Sequence, residues 1–245
     1  MHEHELWLTA FFNDHLAGPA NSFLSIFNIK AQHPDRPWEN WIVMEILIFL
    51  ALVVLVAVVR SSFSVDKPGK LQHLFEVMFG FLKNTADEVG IHHSERYVPY
   101  FGTVFFFILF MNLLGIIPTF ESPTMSANVT CGFAICTFLY FNYMGFREQG
   151  GGYLKHFLGP VWWLIPLMIP IEVMGLFAKP LSLTIRLFAN MFAGEQVTVQ
   201  FIKLTYFVIP VIFMALHVFV SFLQAYIFTL LSMIYVSGAT AHEEH

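Results

Sequence analysis

Pro180-Leu-Ser-Leu-Thr-Ile-Arg-Leu-Phe-Ala-Asn-Met-Phe-Ala-Gly-Glu195 sets an arginine, an asparagine and a glutamate among apolar side chains. The stretch lies inside a longer apolar segment that begins near Val161 and continues to about Phe201. A second long segment runs from about Tyr206 to Val236. Apolar runs of about 17 to 25 residues have the length that crosses the hydrocarbon core of a bilayer. Three further runs precede these two: Ile42 to Val59, Phe101 to Ile117 and Val129 to Phe146. The expected fold is therefore all-α, a polytopic membrane protein of five transmembrane helices. Composition points the same way, with 57% hydrophobic and 12% charged residues. An ordinary soluble domain carries about 25% charged residues. So little charge cannot cover a surface facing water on all sides, and lipid becomes the solvent for much of the chain.

The flanks fit such spans. Trp38 and Trp41 lead into the first and Arg60 closes it, as interface anchoring requires. Arg147, Glu148 and the glycines from Gly150 to Gly152 close the third. The last two segments are longer than a bilayer needs. A helix of roughly 31 residues measures roughly 46 Å, against a hydrocarbon core of about 30 Å. Tilt or kinks absorb the excess, and Pro166, Pro170, Gly175, Pro180 and Pro210 supply kink points. Two short re-entrant helices are the alternative for the fourth segment.

The whole chain, 1–245, reads as one membrane domain. Residues 1–40 form an external N-terminal segment, 66–97 a cytoplasmic amphipathic segment, and 161–236 a helical hairpin. In the amphipathic segment Leu71, Leu74, Phe75, Met78 and Leu82 follow the spacing of one helix face, which suits a helix lying at the membrane surface. Orientation follows from basic residues. Arg60, Lys67, Lys70, Lys83, Arg96, Arg147 and Lys155 lie on one side, and Lys30, Arg36 and Lys203 on the other. The richer side is cytoplasmic, so the N-terminus is outside and the C-terminus inside. A basic start followed by a long apolar run is missing from the first 37 residues, so no cleavable signal peptide is expected. No basic stripe suits nucleic acid. Cys131 and Cys136 point about 140° apart on a helix and are not expected to pair.

The informative residues are polar ones within the two long segments. An arginine at mid-bilayer costs from about 3 to above 10 kcal/mol, so it persists only where it faces protein or a wet cavity. On a helical wheel Glu172, Lys179, Ser182, Arg186 and Asn190 share one stripe, within about 40° of Arg186. Glu195 lies about 180° away, on the opposite face. In the last helix His217, Ser221 and Gln224 share a stripe of about 40°. Folded as an antiparallel pair, the segments set Arg186 level with Gln224, Asn190 with Ser221, and Glu195 with His217. Arg186 then separates an outer polar cluster from an inner one. Arginine stays charged at working pH, so it blocks a continuous proton wire while leaving two half-paths. Glu195 and His217 both titrate. Simpler roles stay open: Arg186 as a structural cation paired with Glu172 or Glu195, His217 as a core histidine, and Gln224, Asn190 and Asn112 as interhelical hydrogen-bond partners. Ser182 can bond its own helix backbone, and Lys179 can extend its head to the interface. His2, His4, His242 and His245 read as solvated tails, and no metal site is expected.

The stretch from Pro180 to Glu195 resembles the signature of subunit a of F-type ATP synthases. His217 and Leu223-Gln-Ala-Tyr-Ile-Phe228 are similar to that family's terminal helix, and Phe110-Met-Asn-Leu-Leu-Gly-Ile-Ile-Pro118 and Pro68-Gly-Lys-Leu-Gln72 also resemble it. The likeness covers the chain from about residue 40 onward. It implies a membrane stator subunit, not itself catalytic, in the plasma (inner) membrane of a bacterium. Arg186 matches the family's essential arginine, which meets the carboxylate of each c subunit in a rotating ring. The resemblance further implies an outer half-channel at Glu195, His217, Asn190 and Gln224, and an inner one near Glu172 and Ser182. Asn112 belongs to the path as well. The implied partners are the c-ring, the b subunits of the peripheral stalk and membrane lipids, with no nucleic acid and no cofactor. Glu195 with His217 resembles the bacterial pattern. Some bacterial members carry an acid where this chain has Gly115, and the outer vestibule here is expected to use Glu121 or Asp14 instead.

Two other classes compete. An autonomous ion transporter calls for internal repeats or discontinuous helices around a central site, and no repeat is present. A membrane-embedded enzyme needs a nucleophile with its base, or paired metal ligands, and the spans hold neither. Whether the ion is a proton or sodium is not legible, because the selecting site would lie on another chain.

Overall fold

The computed structural model describes residues 6–26, 36–61, 63, 69–91, 93–117, 120–150, 152–153, 165–204 and 208–240. Val161, Tyr206, Pro68, Pro118, Lys30, Lys67, Lys155 and the terminal histidines lie outside them. Seven α-helices order the described residues: α1 (Trp7–Ile26), α2 (Asn40–Ser61), α3 (Lys70–Glu88), α4 (Val98–Leu114), α5 (Ala127–Gln149), α6 (Ile165–Leu204) and α7 (Val208–Thr240). No strand occurs among them.

Each helix ends where its chemistry dictates. Arg60 sits in the last turn of α2, where a cation meets the negative end of the helix dipole. Pro99 stands in the first turn of α4, where its missing N–H costs nothing. At the end of α3, Gly90 takes φ +87°. The Ile91 N–H donates to the Ala86 carbonyl and the Gly90 N–H to Asp87, at 3.1 and 3.0 Å. That is the Schellman arrangement, and it favours glycine.

Helices α2, α5, α6 and α7 are long and apolar enough to cross a membrane. Helix α4 is apolar but has 17 residues, a length of about 25 Å. The protein is thus all-helical with four such spans, and the expected count of five rests on α4. The fourth segment forms one helix of 40 residues, not a re-entrant pair, although Pro170 and Pro180 lie inside it. Such a helix is about 60 Å long, roughly twice the hydrocarbon thickness.

Helix α4 supplies the centre of the core. Phe101, Phe105, Ile108 and Met111 are fully buried, and α4 packs along α7 while α5 packs along α6. Helix α3 forms as expected, but the expected face is split: Phe75, Met78 and Leu82 turn to the core, and the first residues of that face do not. Gln72, Leu82, Thr85 and Ala86 are buried, whereas Leu71 and Leu74 are exposed. The reason is the dock: Phe75 packs on Phe106 of α4, and Phe81 on Tyr226 of α7. Leu71, Leu74 and Val77 remain as an apolar edge, suited to a lipid surface.

Helix α1 occupies a stretch for which the sequence suggested no structure. The Asn13 side chain holds Trp38 from both ends, its Nδ2 donating to the Trp38 carbonyl at 3.1 Å and its Oδ1 accepting the Trp38 N–H at 3.0 Å. The Trp38 indole N–H donates to the Leu16 carbonyl, and its ring meets Phe12 edge-on. These bonds lay α1 against the start of α2.

Candidate functional site

Helix α6 carries the arginine. Arg186 is half-exposed, and its Nη2 lies 3.5 Å from the Ser182 hydroxyl one turn earlier. Among the described residues no carboxylate lies within ion-pair distance of it, so the structural pairing with Glu172 or Glu195 does not form. Its charge reaches Tyr235 of α7. Leu181 and Ile185 beside it are 59% and 53% exposed. A permanent cation therefore stands at the edge of an uncovered apolar helix face.

In the N-terminal half of α6, the Lys179 head is turned onto aromatic rings. Its Nζ lies 5.5 Å from the Phe141 ring centre on α5 and 5.6 Å from that of Tyr235 on α7. Two aromatic faces thus hold the cation by their quadrupoles. Glu172, two turns earlier and half-buried, acts electrostatically on Tyr153.

Near the hairpin end, α6 and α7 border two cavities. One of about 120 Å³ is lined by Glu195 and Thr198 of α6, Met214 and His217 of α7, and Gly115 and Phe120 after α4. The other, of about 420 Å³, takes in Asn190, Gly194, Thr198, His217 and Gln224. His217 and Thr198 belong to both, so the cavities meet at the histidine. Glu195 Oε2 and His217 Nε2 are buried with no hydrogen-bond partner among the described residues. Buried polar atoms are nearly always paired. Two unpaired, titratable atoms on one cavity are equipped to pass a proton or to bind a mobile water.

Glu195 and His217 thus share a cavity, as do Asn190 and Gln224. Ser221 is buried and is not among the residues of the cavity that Asn190 lines, and its carbonyl accepts from Asn112 Nδ2 of α4 at 3.3 Å. The other end of the Asn112 amide accepts from the Thr124 hydroxyl at 2.7 Å. Thr124 meets Ser122, whose hydroxyl donates to the Met111 carbonyl. Asn112 is therefore fully engaged, joining α4 to α7 and to the α4–α5 connection.

The connection also brings in Glu121, half-buried, whose Oε2 accepts from Asn40 Nδ2 at 3.3 Å. Its charge acts on Glu195. Asp14, the other expected vestibule acid, is exposed on α1. Asn40 was not legible as a site residue. The available signal was one amide at the mouth of an apolar run, which reads equally well as a helix start. Glu45, within α2 and half-buried, is a carboxylate inside an apolar run, the same kind of signal that marks Glu195.

Comparison with known proteins gives consistent relatives. Residues 41–237 match the family described as ATP synthase A chain. The chain is 54% identical over 233 residues to a protein of Solibacter usitatus called ATP synthase subunit a, covering 95% of this chain and 99% of that one. A protein of Koribacter versatilis with the same description is 49% identical over 240 residues, covering 98% of each.

Proposed function

The chain belongs to the ATP synthase A chain family, and from that footing we propose that its two long helices form the static half of a proton-driven rotary device. Arg186 faces the carboxylate of each passing subunit of a c-ring and favours its ionised form, since a nearby opposite charge lowers a carboxyl pKa. Glu195, His217, Asn190 and Gln224 form the half-path from the outside, and Glu172 and Ser182 the half-path to the inside. Asn112 serves the outer half-path by holding α7 in register. The titratable pair Glu195 and His217 suits protons as the ion. Each proton descending about 100 mV supplies about 2.3 kcal/mol, and rotation carries that work to ATP formed elsewhere in the complex. The reading places the N-terminus outside, counts α4 as the fifth span, and gives the chain no catalytic step of its own.

One observation carries this reading. Arg186 lies within a helix long and apolar enough to cross a membrane, and among the described residues its hydrogen-bond partner is the Ser182 hydroxyl alone. A charge left so in lipid costs several kcal/mol. A carboxylate from another chain, arriving at the exposed face beside Leu181 and Ile185, removes that cost.

Cross-linking tests the face. With Cys131 and Cys136 replaced by serine, a cysteine at Ile185 should form a disulfide with cysteines placed near the c-subunit carboxylate in the assembled complex. Cross-links only from the α4 or α5 side would exclude the proposed interface.

A further inference from the structure

We propose that Glu121 is the outermost proton-exchanging carboxylate of the path to Glu195, and that Asn40 positions it by tying it to the N-terminal helix. The proposal rests on the half-path reading above and adds to it a residue pair and a role for α1.

Asn40 is 6% exposed, and both ends of its amide are used. Its Oδ1 accepts the Leu6 N–H just before α1, and its Nδ2 donates to Glu121 Oε2, each at 3.3 Å. The two roles are chemically opposite, which fixes the orientation of the amide. Asn13 locks Trp38, two residues earlier, by its own pair of bonds. Asn40 is therefore held from α1 and presents a fixed donor to the carboxylate.

The α4–α5 connection holds Glu121 from the other side. A Cβ on Gly115 would stand 2.8 Å from the Ser122 Cβ and 3.4 Å from the Ser122 backbone nitrogen. The connection thus rests directly on the glycine, and the Ser122 hydroxyl bonds the Met111 carbonyl at 2.9 Å. This close approach leaves no room for a side chain at 115. It brings the neighbouring Phe120 into the cavity that Glu195 and His217 line. Glu195 Oε2 there has no hydrogen-bond partner among the described residues. Of the other acids nearby, Glu39 bonds the Trp41 indole in an exposed position, and Asp14 is exposed on α1. Glu121 alone of the three is half-buried and adjoins a residue of the cavity wall, Phe120, with Glu195 of α6 and His217 of α7 as the titratable groups on that cavity.

The test is ATP synthesis by assembled complexes in vesicles, driven by acid supplied on the Glu121 side, across a series of outer pH values. Rates are normalised to assembled complex. Glu121→Gln keeps an acceptor for Asn40 but has no proton to exchange. It should slow synthesis roughly tenfold, below the effect usual for a directly acting acid or base, with the deficit growing as outer pH rises. Glu121→Asp should recover most of the rate. Asn40→Asp keeps the acceptor for Leu6 but sets a carboxylate against Glu121, and should fall toward Glu121→Gln. Glu195→Gln is the control for the underlying reading. If Glu195→Gln is inactive while Glu121→Gln follows wild type across the pH series, the Glu121 role is wrong and the half-path stands. Equal losses for the Gln and Asp variants with an unmoved pH profile also overturn it, leaving a structural role. If Glu195→Gln is fully active, the half-path itself is wrong.

Discussion

Gly194 and His217 are in contact across the α6–α7 hairpin: a Cβ on the glycine would stand 3.2 Å from the imidazole Nδ1 and 3.4 Å from its Cε1. The missing side chain lets the histidine lie against the backbone of α6, beside Glu195. Gly194→Ala asks the ring to give by a few tenths of an ångström, and Gly194→Val asks for far more. Proton pumping per assembled complex should drop modestly in the first variant and severely in the second. Equal, full activity in both would mean that the position of His217 does not matter.

Glu195 and His217 line one cavity from opposite helices. If they act as one relay, exchanging them preserves the chemistry. Glu195→His combined with His217→Glu should therefore pump better than either single variant. Measured rates for the double variant no higher than for the singles would separate the two roles.

Gly145 is fixed by packing. A Cβ there would stand 2.6 Å from Tyr153 Cε2 and 3.1 Å from the Ala239 carbonyl oxygen. Neither neighbour is the end of a flexible chain. Overpacking of this kind costs about 1 to 3 kcal/mol. Gly145→Ala should lower the melting temperature of the purified complex and leave the ratio of protons pumped to ATP hydrolysed unchanged.

Lys83 and Glu95 form an exposed ion pair that joins α3 to the turn before α4. The hydrogen bond, then the charge of Lys83, lowers the Glu95 pKa, and the same contacts raise that of Lys83. The contribution of Glu95 is present above the ordinary carboxylate range and is lost as pH falls through its lowered value. That of Lys83 is present below the ordinary lysine range and is lost as pH rises through its raised value. Stability from the pair is flat between those limits. Exposed pairs contribute little, so Glu95→Gln should leave the melting temperature near pH 7 almost unmoved.

Much of the architecture was legible because lipid imposes length and composition on each span. The two long helices and the meeting of Glu195 with His217 on one cavity follow from segment length and depth. Rotation about each helix axis was not legible, since it depends on neighbours. Ser221 is buried away from the cavity that Asn190 lines, and Leu71 and Leu74 face outward because α4 and α7 take the other side of α3. Lys179 illustrates the same limit: its aromatic partners come from two other helices. Helix α1 was not legible because the polar contacts that dock it, Asn13 with Trp38 and Leu6 with Asn40, join residues 25 and 34 positions apart.

Arg186 decides the matter most directly. In assembled complexes bearing Arg186→Ala, ATP hydrolysis is measured together with the proton gradient it builds. Loss of coupled pumping with hydrolysis retained is the expected result, because nothing then separates the half-paths or meets the ring carboxylate. Pumping at the wild-type ratio would show that the arginine is structural, and the proposed mechanism would fall with it.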